Sequence, residues 1–490
     1  MLIALLAIPL LAAFASWFIP ADAIRRILLL LVSGAELILA LACWFVEPAS
    51  FGGDLLAVDA MGRLVLTVTC ALFFASSVYA VGYLRGEDRG DRKDFQQGLH
   101  FSNAPEATFT ACLLLFLASA VLVTITRHFG LLWVGIETTT IVSAPLIYFH
   151  RHQRSLEATW KYLLICSVGI ALALMGNLLM DVSIQPEGHF AVPMTLEALL
   201  ENAPRAHPIW LKAAFVFLLI GYGTKMGVAP MHTWLPDAHS EAPSLVSALL
   251  SGALLNCAFL GIFRSYEVCV AANLGAFASD LLLAFGFLSM LVAALFIVGI
   301  GDFKRMLAYS SVEHMGILLI ALGTGLEAAR GGMLHMVNHS LAKAGLFLLA
   351  GNILTRYSTK SSHDVTGLNR VLPLTGPLWL AGIIAITGSP PFALFISEFS
   401  ILKGLLHRGQ QWLALAYLLL LGIIFVGMLT PCLRMCRGKA PPGLVPQKRE
   451  SLLLVAPSAC LLLLVLVLGL IMPDFFSEAL NRAAAMVSRP

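Results

Sequence analysis

The segment Lys225-Met-Gly-Val-Ala-Pro-Met-His-Thr-Trp-Leu-Pro-Asp-Ala-His239 places a lysine at the end of an apolar stretch, five residues before a proline. A lysine near a bilayer centre costs about 2.5–3.5 kcal/mol on insertion scales, so a lysine tolerated there indicates a functional site. Pro230 and Pro236 each lack a backbone donor, which predicts an interrupted helix beside Lys225. Interrupted backbone at membrane depth is stable only where it is buried in protein or lines a wet cavity. The segment therefore indicates an ion path.

The composition indicates an all-α polytopic membrane protein. Of the 490 residues 59% are hydrophobic and only 12% are charged, too few for the surface of a soluble protein of this length. A net charge of +3 gives no indication of nucleic-acid binding, and we expect none. Residues 1–20 lack the basic region and cleavage site of a signal peptide, which predicts a retained first helix. The nine cysteines are scattered, and we interpret them as inert core thiols.

Apolar runs predict about fourteen transmembrane helices. They lie near residues 2–19, 27–46, 63–84, 107–126, 129–149, 159–180, 209–229, 242–263, 278–300, 305–325, 331–355, 376–406, 411–434 and 451–472. An even number of crossings places both termini on the same side of the membrane.

The distribution of basic residues among the loops predicts which side of the membrane the termini face. Loops after odd-numbered helices carry clusters, among them Arg25, Arg26, Arg151, Arg154, Lys304 and Arg305. Loops after even-numbered helices carry mostly single basic residues, such as Arg127, Arg205 and Arg264. The positive-inside rule then predicts that both termini face the outer, periplasmic side of a bacterial or archaeal cell (inner) membrane.

Two tandem units of five helices are predicted, at residues 107–265 and 266–436. They follow an N-terminal region of three helices (1–106) and precede a C-terminal helix and tail (437–490). The fourth helix of each unit contains a proline break, at Pro230 in the first and at Pro390–Pro391 in the second. Because each unit has an odd number of helices, tandem units are inverted relative to each other, a plan that transporters use around a midplane site.

In the first unit, Glu137 and Lys225 are ionisable groups predicted at mid-span. Each is costly at that depth unless it is paired or hydrated. The distance between them then sets how readily the lysine exchanges its proton. A purely structural ion pair is the alternative, but the adjoining break favours a proton switch.

In the second unit, His335, His339 and Lys343 recur at intervals of four and so lie along one helix face. His314, on the preceding helix, extends this column, and imidazole accepts and donates protons near neutral pH. Glu398 follows the second break, as the counterpart of Lys225, and we place it at the outer end of the relay. Polar contacts between helices without a relay role are the alternative interpretation of the column.

Other ionisable or polar groups are weaker candidates. Lys161, Lys212 and Lys403 lie close enough to helix ends for their ammonium groups to reach the interface. Glu36 is interpreted as a carboxylate satisfied by a contact between helices, or as a contact with another subunit. The secondary candidates are Lys161, Asp237, His239, Asn256 and Lys403.

Three motifs carry a resemblance to a known family. Residues 225–243 (KMGVAPMHTWLPDAHSEAP), 302–316 (DFKRMLAYSSVEHMG) and 335–351 (HMVNHSLAKAGLFLLAG) resemble the antiporter-like subunits of respiratory complex I, of multisubunit cation/proton antiporters and of group 4 hydrogenases. The resemblance covers about residues 107–410. The stretches 132–137 and 157–164 are most similar to hydrogenase-4 component F, the formate hydrogenlyase-type subunit.

The resemblance implies a role for each matching residue. Glu137 matches a glutamate that modulates the lysine, and Lys225 matches the lysine that holds and passes the proton. His314, His335 and His339 fall in the central polar axis of the family. Lys343 matches a lysine that only some members carry. Glu398 matches the acidic residue or lysine of the twelfth helix that exchanges protons with the outer surface.

The chain departs from the family at one position. Many complex I members carry a bridging lysine on the eighth helix where this chain has Asn256. An asparagine side chain can hydrogen-bond water but cannot carry charge. This difference favours the hydrogenase branch and predicts that transfer between the units uses water, or His335 and His339.

The leading hypothesis is a proton-translocating membrane subunit of an energy-converting redox complex, of the hydrogenase-4/formate hydrogenlyase or NADH:quinone oxidoreductase type. The sequence lacks iron–sulfur, dinucleotide and haem motifs, so we predict no catalytic residue, cofactor or metal site on this chain. Iron–sulfur clusters and NiFe or flavin are expected in partner subunits, in a peripheral redox arm beside other membrane-arm subunits.

A multisubunit Na⁺/H⁺ antiporter without a redox partner is the alternative. An organic-solute carrier is disfavoured because the chain lacks clustered aromatic or arginine residues that would bind an organic substrate. A membrane partner for inorganic-carbon uptake, which belongs to the same family, is a further alternative.

Overall fold

The computed structural model describes residues 1–87, 92–93, 98, 100–185, 192–447 and 449–487, with only the backbone described at 92–93. The helices are α1 (Leu2–Phe18), α2 (Asp22–Ala42), α3 (Ala60–Gly86), α4 (Glu106–Ile125), α5 (Phe129–Ile147), α6 (Gln153–Ile184), α7 (Leu196–Asn202), α8 (Pro208–Met226), α9 (Trp234–Glu241), α10 (Ser244–Leu249), α11 (Leu255–Ala271), α12 (Gly275–Ile297), α13 (Phe303–Thr324), α14 (Leu326–Tyr357), α15 (Leu368–Val371), α16 (Thr375–Ile386), α17 (Ala393–His407), α18 (Gln411–Cys436), α19 (Leu452–Leu470) and α20 (Asp474–Ala485). A π-helical segment, Leu250–Leu254, joins α10 to α11. Two-residue strands, β1 (Arg92–Lys93) and β2 (His100–Phe101), pair antiparallel.

Ten helical segments in the described part of the chain are long and apolar enough to cross a membrane. Two of them are composite, because α8 with α9 and α10 with α11 each form one span. The other four predicted spans correspond to α1, α2, α14 and the α16–α17 pair. Helix α1 and helix α16 are short, with 17 and 12 residues, and α2 and α14 are long but more polar. The structure thus confirms a helical membrane protein and supports ten of the fourteen expected spans by length and composition.

The first break lies where the sequence predicts it, directly after Lys225. Helix α8 ends at Gly227, which has a left-handed φ of 80°, and a Cβ at this position would collide with the side chain of Leu235. The indole of Trp234 donates to the backbone oxygen of Thr224 at 2.8 Å, so a carbonyl at the end of the helix keeps a partner. The break therefore places the last turn of α8, with Lys225, inside the protein.

The second break separates α16 from α17. It contains Gly388, with a left-handed φ of 65°, and the prolines Pro390 and Pro391. The backbone amide of Ser389 donates to the oxygen of Ile384 at 3.2 Å, which closes the end of α16. Glu398 lies in the second turn of α17, one and a half turns after the break. Both interrupted helices therefore place an ionisable residue next to irregular backbone.

Glycines set the close approach of α6 and α8. A Cβ on Gly221 would lie 2.6 Å from the backbone nitrogen of Ala173 and 2.7 Å from the backbone oxygen of Gly169. A Cβ on Gly169 would lie 2.6 Å from the Cβ of Thr224. Small residues at such a crossing let two membrane helices approach closely. This crossing brings Tyr162 of α6 to Lys225 of α8.

Substituting Gly221 by valine should disrupt this crossing. The colliding atoms belong to the backbone of α6 and cannot turn aside, so overpacking should cost roughly 1–3 kcal/mol or more. We expect a lower melting temperature and a lower yield of monodisperse protein in detergent. Gly422 is the matched control, because a Cβ there meets nothing within 4 Å. Equal thermal stability of the two valine variants would show that the crossing tolerates a side chain.

Arg264 differs from the expectation for a loop residue. It lies within α11, is 1% exposed and pairs with Asp59 at 2.9 Å. It also donates to the backbone oxygen of Thr126. Asp59 caps α3 by accepting from the amide of Gly62. Arg264 is thus a structural link between the ends of α3, α4 and α11, and it does not contribute to a charged loop.

Helix α20 was not predicted. It buries only small and apolar residues on one face (Ala479, Leu480, Ala483 and Ala484) and lacks a continuous apolar run. This face packs against α14 and α3. Its other face carries Glu478 and Arg482, which pair with each other four residues apart. An amphipathic period in a short segment is weaker evidence than a long apolar run, which is why the sequence analysis missed it.

Candidate functional site

Lys225 is fully buried and is held by two hydroxyl groups. Its Nζ donates to Oγ1 of Thr140 at 2.7 Å and to the hydroxyl of Tyr162 at 2.6 Å. The Tyr162 hydroxyl is in turn 2.7 Å from Oγ of Ser143. Lys225 also sits in the last turn of α8, where the negative end of the helix dipole favours a cation. The ammonium group therefore has polar partners from two neighbouring helices, α5 and α6.

Glu137 is connected to Lys225 through a hydroxyl bridge. Thr140 donates to Oε2 of Glu137 at 3.2 Å while it accepts from Lys225. The other carboxylate oxygen, Oε1, accepts from Ser167 at 3.2 Å. The sequence is compatible with a direct ion pair between Glu137 and Lys225, but the structure places the Thr140 hydroxyl between the two charges. A hydroxyl that both donates and accepts can pass a proton between its neighbours.

Asn256 links helix α11 to helix α14. Its Nδ2 donates to Oγ of Ser340 at 2.8 Å and to the backbone oxygen of Gly252 at 2.8 Å. Ser340 directly follows His339 in the chain. The side-chain oxygen of Asn256 is buried without a hydrogen-bond partner among the described residues. A buried amide oxygen of this kind is a position where water is expected.

Three histidines form a compact cluster between α13 and α14. Nδ1 of His314 lies 2.9 Å from Nε2 of His335, and the rings of His314 and His339 are 4.8 Å apart between centroids. Nδ1 of His335 lies 2.9 Å from Oγ of Ser397, which itself donates to the backbone oxygen of Leu394. Because that hydroxyl proton is already used, His335 must donate through Nδ1 and keeps a lone pair on Nε2. All three rings are fully buried.

Glu398 joins this cluster from α17. One ligand atom from each of His314, His335 and Glu398 lies within 4.8 Å of the other two. The carboxylate rests over the second helix break, where a Cβ on Gly388 would overlap its oxygen atoms. Glycine at that position therefore makes the space that Glu398 occupies. Oε1 of Glu398 is buried without a hydrogen-bond partner among the described residues.

Lys343 lies on the same face of α14, two turns from His335. Its Nζ donates to the backbone oxygen of Leu307 at 2.7 Å. Glu313 interacts electrostatically with both Lys343 and Glu398, and it accepts from Ser310 at 3.3 Å. Glu313 lies within one of the three family motifs but is not among the site residues predicted from the sequence. Its 3% exposure shows that it belongs to the buried group, and its position beside His314 in the sequence could have indicated this.

The secondary candidates divide into surface and buried residues. Lys161 is 45% exposed and pairs with Asp237 at 3.0 Å, and Lys403 is 52% exposed and pairs with Glu327 at 2.7 Å. This exposure agrees with the expectation that long side chains near helix ends keep their ammonium groups outside the apolar interior. His239 is fully buried, with Nδ1 2.9 Å from the backbone oxygen of Leu235.

Two further residues from the sequence analysis lie away from this site. Lys212 is exposed, with its Nζ 5.3 Å from the ring centre of Phe277. Glu36 is fully buried, and both of its carboxylate oxygens lack a hydrogen-bond partner among the described residues. The interpretation of Glu36 as a carboxylate satisfied by a helix contact is therefore not supported by the geometry.

A cavity of about 620 Å³ opens beside the buried groups, and sequence reasoning did not find it. Glu241, Lys304 and Lys360 contribute charged groups to its lining. Lys360 pairs with Glu241 at 2.8 Å, and Lys304 donates to the backbone oxygen of Ala242 at 2.7 Å. His239 interacts electrostatically with both Lys304 and Lys343. His239 therefore lies between the lining of the cavity and the face of α14 that carries Lys343, near enough for the charges of both lysines to act on it.

Solved structures share the fold of this chain. The chain resembles a subunit of the Mrp complex from Dietzia sp. DQ12-45-1b with a TM-score of 0.85 and 21% identity, covering 99% of this chain and 96% of that one. It resembles a subunit of respiratory complex I from Thermus thermophilus with a TM-score of 0.82 and 22% identity, covering 99% of each chain. Identities this low establish the fold and leave the function to other arguments.

Relatives by sequence point to the same family. A hydrogenase-4 component F homolog of Methylacidiphilum infernorum (isolate V4) is 40% identical over 307 residues, which cover 62% of this chain and 63% of that protein. The chain thus spans less than two thirds of the length of this relative. The family model for the transmembrane part of NADH:quinone oxidoreductases and Mrp antiporters matches residues 127–424, more than half of the chain. The chain belongs to this NADH:quinone oxidoreductase/Mrp antiporter family of membrane proteins.

Proposed function

We propose that this chain is a proton-translocating, antiporter-like subunit of an energy-converting redox complex of the hydrogenase-4/formate hydrogenlyase or NADH:quinone oxidoreductase type. It couples electron transfer in partner subunits to proton movement. The observation that carries the proposal is the series of titratable and hydroxyl groups that begins at the half-buried Glu137 and includes the buried Lys225, the histidine cluster and Glu398. Such a run is costly in a bilayer and is retained where protons or ions move.

In this proposal Lys225 holds the proton and Glu137 modulates its release through Thr140. Water beside Asn256, together with Ser340, carries the proton to the histidines of α14. His314, His335 and His339, with Lys343, then form the central relay, and Glu398 exchanges protons with the outer side. The cavity lined by Glu241 and Lys304 supplies protons from the opposite side.

The proposed topology has fourteen crossings, with both termini on the outer face of a bacterial or archaeal cell membrane. Residues 107–265 and 266–436 form the two inverted units, preceded by residues 1–106 and followed by residues 437–490. The similar position of the two breaks within these units supports the repeat. The distribution of arginine and lysine among the loops supports the orientation.

The partners in this proposal are other membrane-arm subunits and a peripheral redox arm. Iron–sulfur clusters and NiFe or flavin belong to those partners, and this chain contributes only proton transfer. The likeness to a hydrogenase-4 component F homolog favours the hydrogenase branch. Asn256, in place of a bridging lysine, supports the same choice.

A multisubunit Na⁺/H⁺ antiporter without a redox partner is the second candidate. The family to which the chain belongs includes Mrp antiporters as well as NADH:quinone oxidoreductases, which supports this candidate. The buried residues serve an antiporter equally well, because both functions need a proton path through the same fold.

Purification of the native complex through a tag on this chain distinguishes the two candidates. We expect mass spectrometry to identify soluble redox subunits, and the complex in vesicles to acidify the interior when the electron donor is added. Co-purification with membrane subunits alone, together with Na⁺-dependent proton exchange, would instead establish the antiporter. The parental strain without the tag controls for proteins that bind the resin.

A further inference from the structure

The histidine cluster has the composition and spacing of a metal site, although the sequence analysis predicted none. Imidazole nitrogen and carboxylate oxygen are the ligands of many zinc sites, including those with two histidines and one glutamate. His314, His335 and Glu398 offer this set, with one ligand atom of each within 4.8 Å of the others. These residues come from three helices, so the site exists only in the folded chain.

Unpartnered buried atoms give independent evidence for a ligand. Both ring nitrogens of His339 and Oε1 of Glu398 lack a hydrogen-bond partner among the described residues, and His339 is fully buried. Such atoms are costly unless water or an ion satisfies them. The ring of His339 lies against that of His314, beside the three ligand residues. A water molecule in the fourth position of a metal would therefore have His339 as its neighbour.

Metal binding needs one proton shift. His335 donates through Nδ1 to Ser397, so its Nε2 accepts the hydrogen bond from Nδ1 of His314. A cation between these two nitrogens displaces that proton, which moves to Nε2 of His314, an atom without a hydrogen-bond partner among the described residues. A second hydrogen bond that orients a histidine is a common feature of metal ligands. The two nitrogens are 2.9 Å apart, and tetrahedral zinc with bonds of about 2.0–2.1 Å needs them about 3.3 Å apart, so a small opening is sufficient.

Charge and access are compatible with a divalent ion. Glu398 and the nearby Glu313 supply two carboxyl groups, and Glu313 also offsets the charge of Lys343. The carboxylate of Glu398 lies against Gly388, and the same break contains the exposed prolines Pro390 and Pro391. An ion that enters at this break reaches Glu398 first.

We propose that His314, His335 and Glu398 bind a divalent transition-metal cation, of which Zn²⁺ is the best fit, with water as the fourth ligand. A metal in this place occupies the lone pair of His335 and the free oxygen of Glu398. If the proposed function holds, bound zinc therefore blocks proton transfer through the cluster. The inhibition depends on the proposed function, whereas the binding does not.

Zinc binding to the purified native complex tests this proposal. The complex is treated with a chelator, equilibrated with Zn²⁺ and freed of unbound metal, and its zinc content is measured by mass spectrometry. We expect the parental complex to retain one more zinc ion than the isosteric variants Glu398→Gln and His335→Gln. X-ray absorption at the zinc edge should show nitrogen and oxygen ligands without sulfur for that ion. His239→Gln, which removes another buried histidine, should retain the parental zinc content.

Equal zinc content in the parental complex and in both cluster variants would overturn the metal site. Proton uptake by vesicles provides the second readout. Zinc that binds through the cluster and inhibits uptake supports both proposals. Zinc that binds there without affecting uptake supports the metal site and contradicts the place of the cluster in the proton path.

Discussion

Replacing Lys225 by methionine is expected to abolish redox-driven proton uptake by vesicles and to leave assembly of the complex intact. Methionine has a similar length and remains apolar, so it fills the space of the lysine stem without an ammonium group. Thr140 and Tyr162 keep the contacts they make with Glu137 and Ser143. Only the group that carries the proton is lost. The measurement is quenching of a pH-sensitive dye after addition of the electron donor.

Two further measurements make this prediction specific. Lys212→Met is the matched control, because Lys212 lies on the same helix but is exposed, and its uptake should equal that of the parental protein. Gel filtration of the Lys225 variant should give the parental elution profile. Parental uptake in an assembled Lys225→Met complex would rule out the role proposed for this lysine.

Glu398→Gln should have the second-largest effect, a strong loss of proton uptake with normal assembly. Glutamine has the same shape as glutamate, but its amide does not exchange a proton as a carboxyl group does. The space above Gly388 accepts either side chain, since the two are equal in volume. We therefore expect the variant to fold and to lose the exchange between the histidine cluster and the outer side.

Glu327→Gln is the control for this substitution. Glu327 is an acidic residue at the surface, 42% exposed, where it pairs with Lys403. Its loss removes an exposed ion pair, which contributes little to stability. Normal uptake in Glu398→Gln, with the control unchanged, would move the outer exchange site to another residue.

Much of the fold could be predicted from the sequence because the bilayer limits the choices. Apolar runs located the helices, and prolines next to Lys225 and Glu398 located both breaks. Helix α20 was missed because an amphipathic helix lacks the long apolar run that identifies a span. Arg264 was assigned to a loop because its partner, Asp59, is distant in the sequence.

The candidate site was predicted residue by residue, but its connections were not. Lys225 and Glu137 could be selected because charged residues at membrane depth are rare. The Thr140 hydroxyl between them is a common side chain in an ordinary position, and no sequence pattern distinguishes it. Glu313 was passed over although it adjoins His314 in the chain, because its burial depends on how α13 packs against α14 and α17.

By itself the sequence determined the class of protein, the approximate helices, the two breaks and the ionisable residues that a membrane interior rarely tolerates. These properties depend on the transfer of single side chains and backbone groups from water to lipid, a cost that each residue carries independently of its neighbours. Tertiary structure alone decided which hydroxyl bridges Glu137 to Lys225 and which three side chains meet at the metal site proposed here. Those contacts join residues far apart in the chain, and they depend on how the helices pack at glycine-lined crossings, which no local pattern specifies.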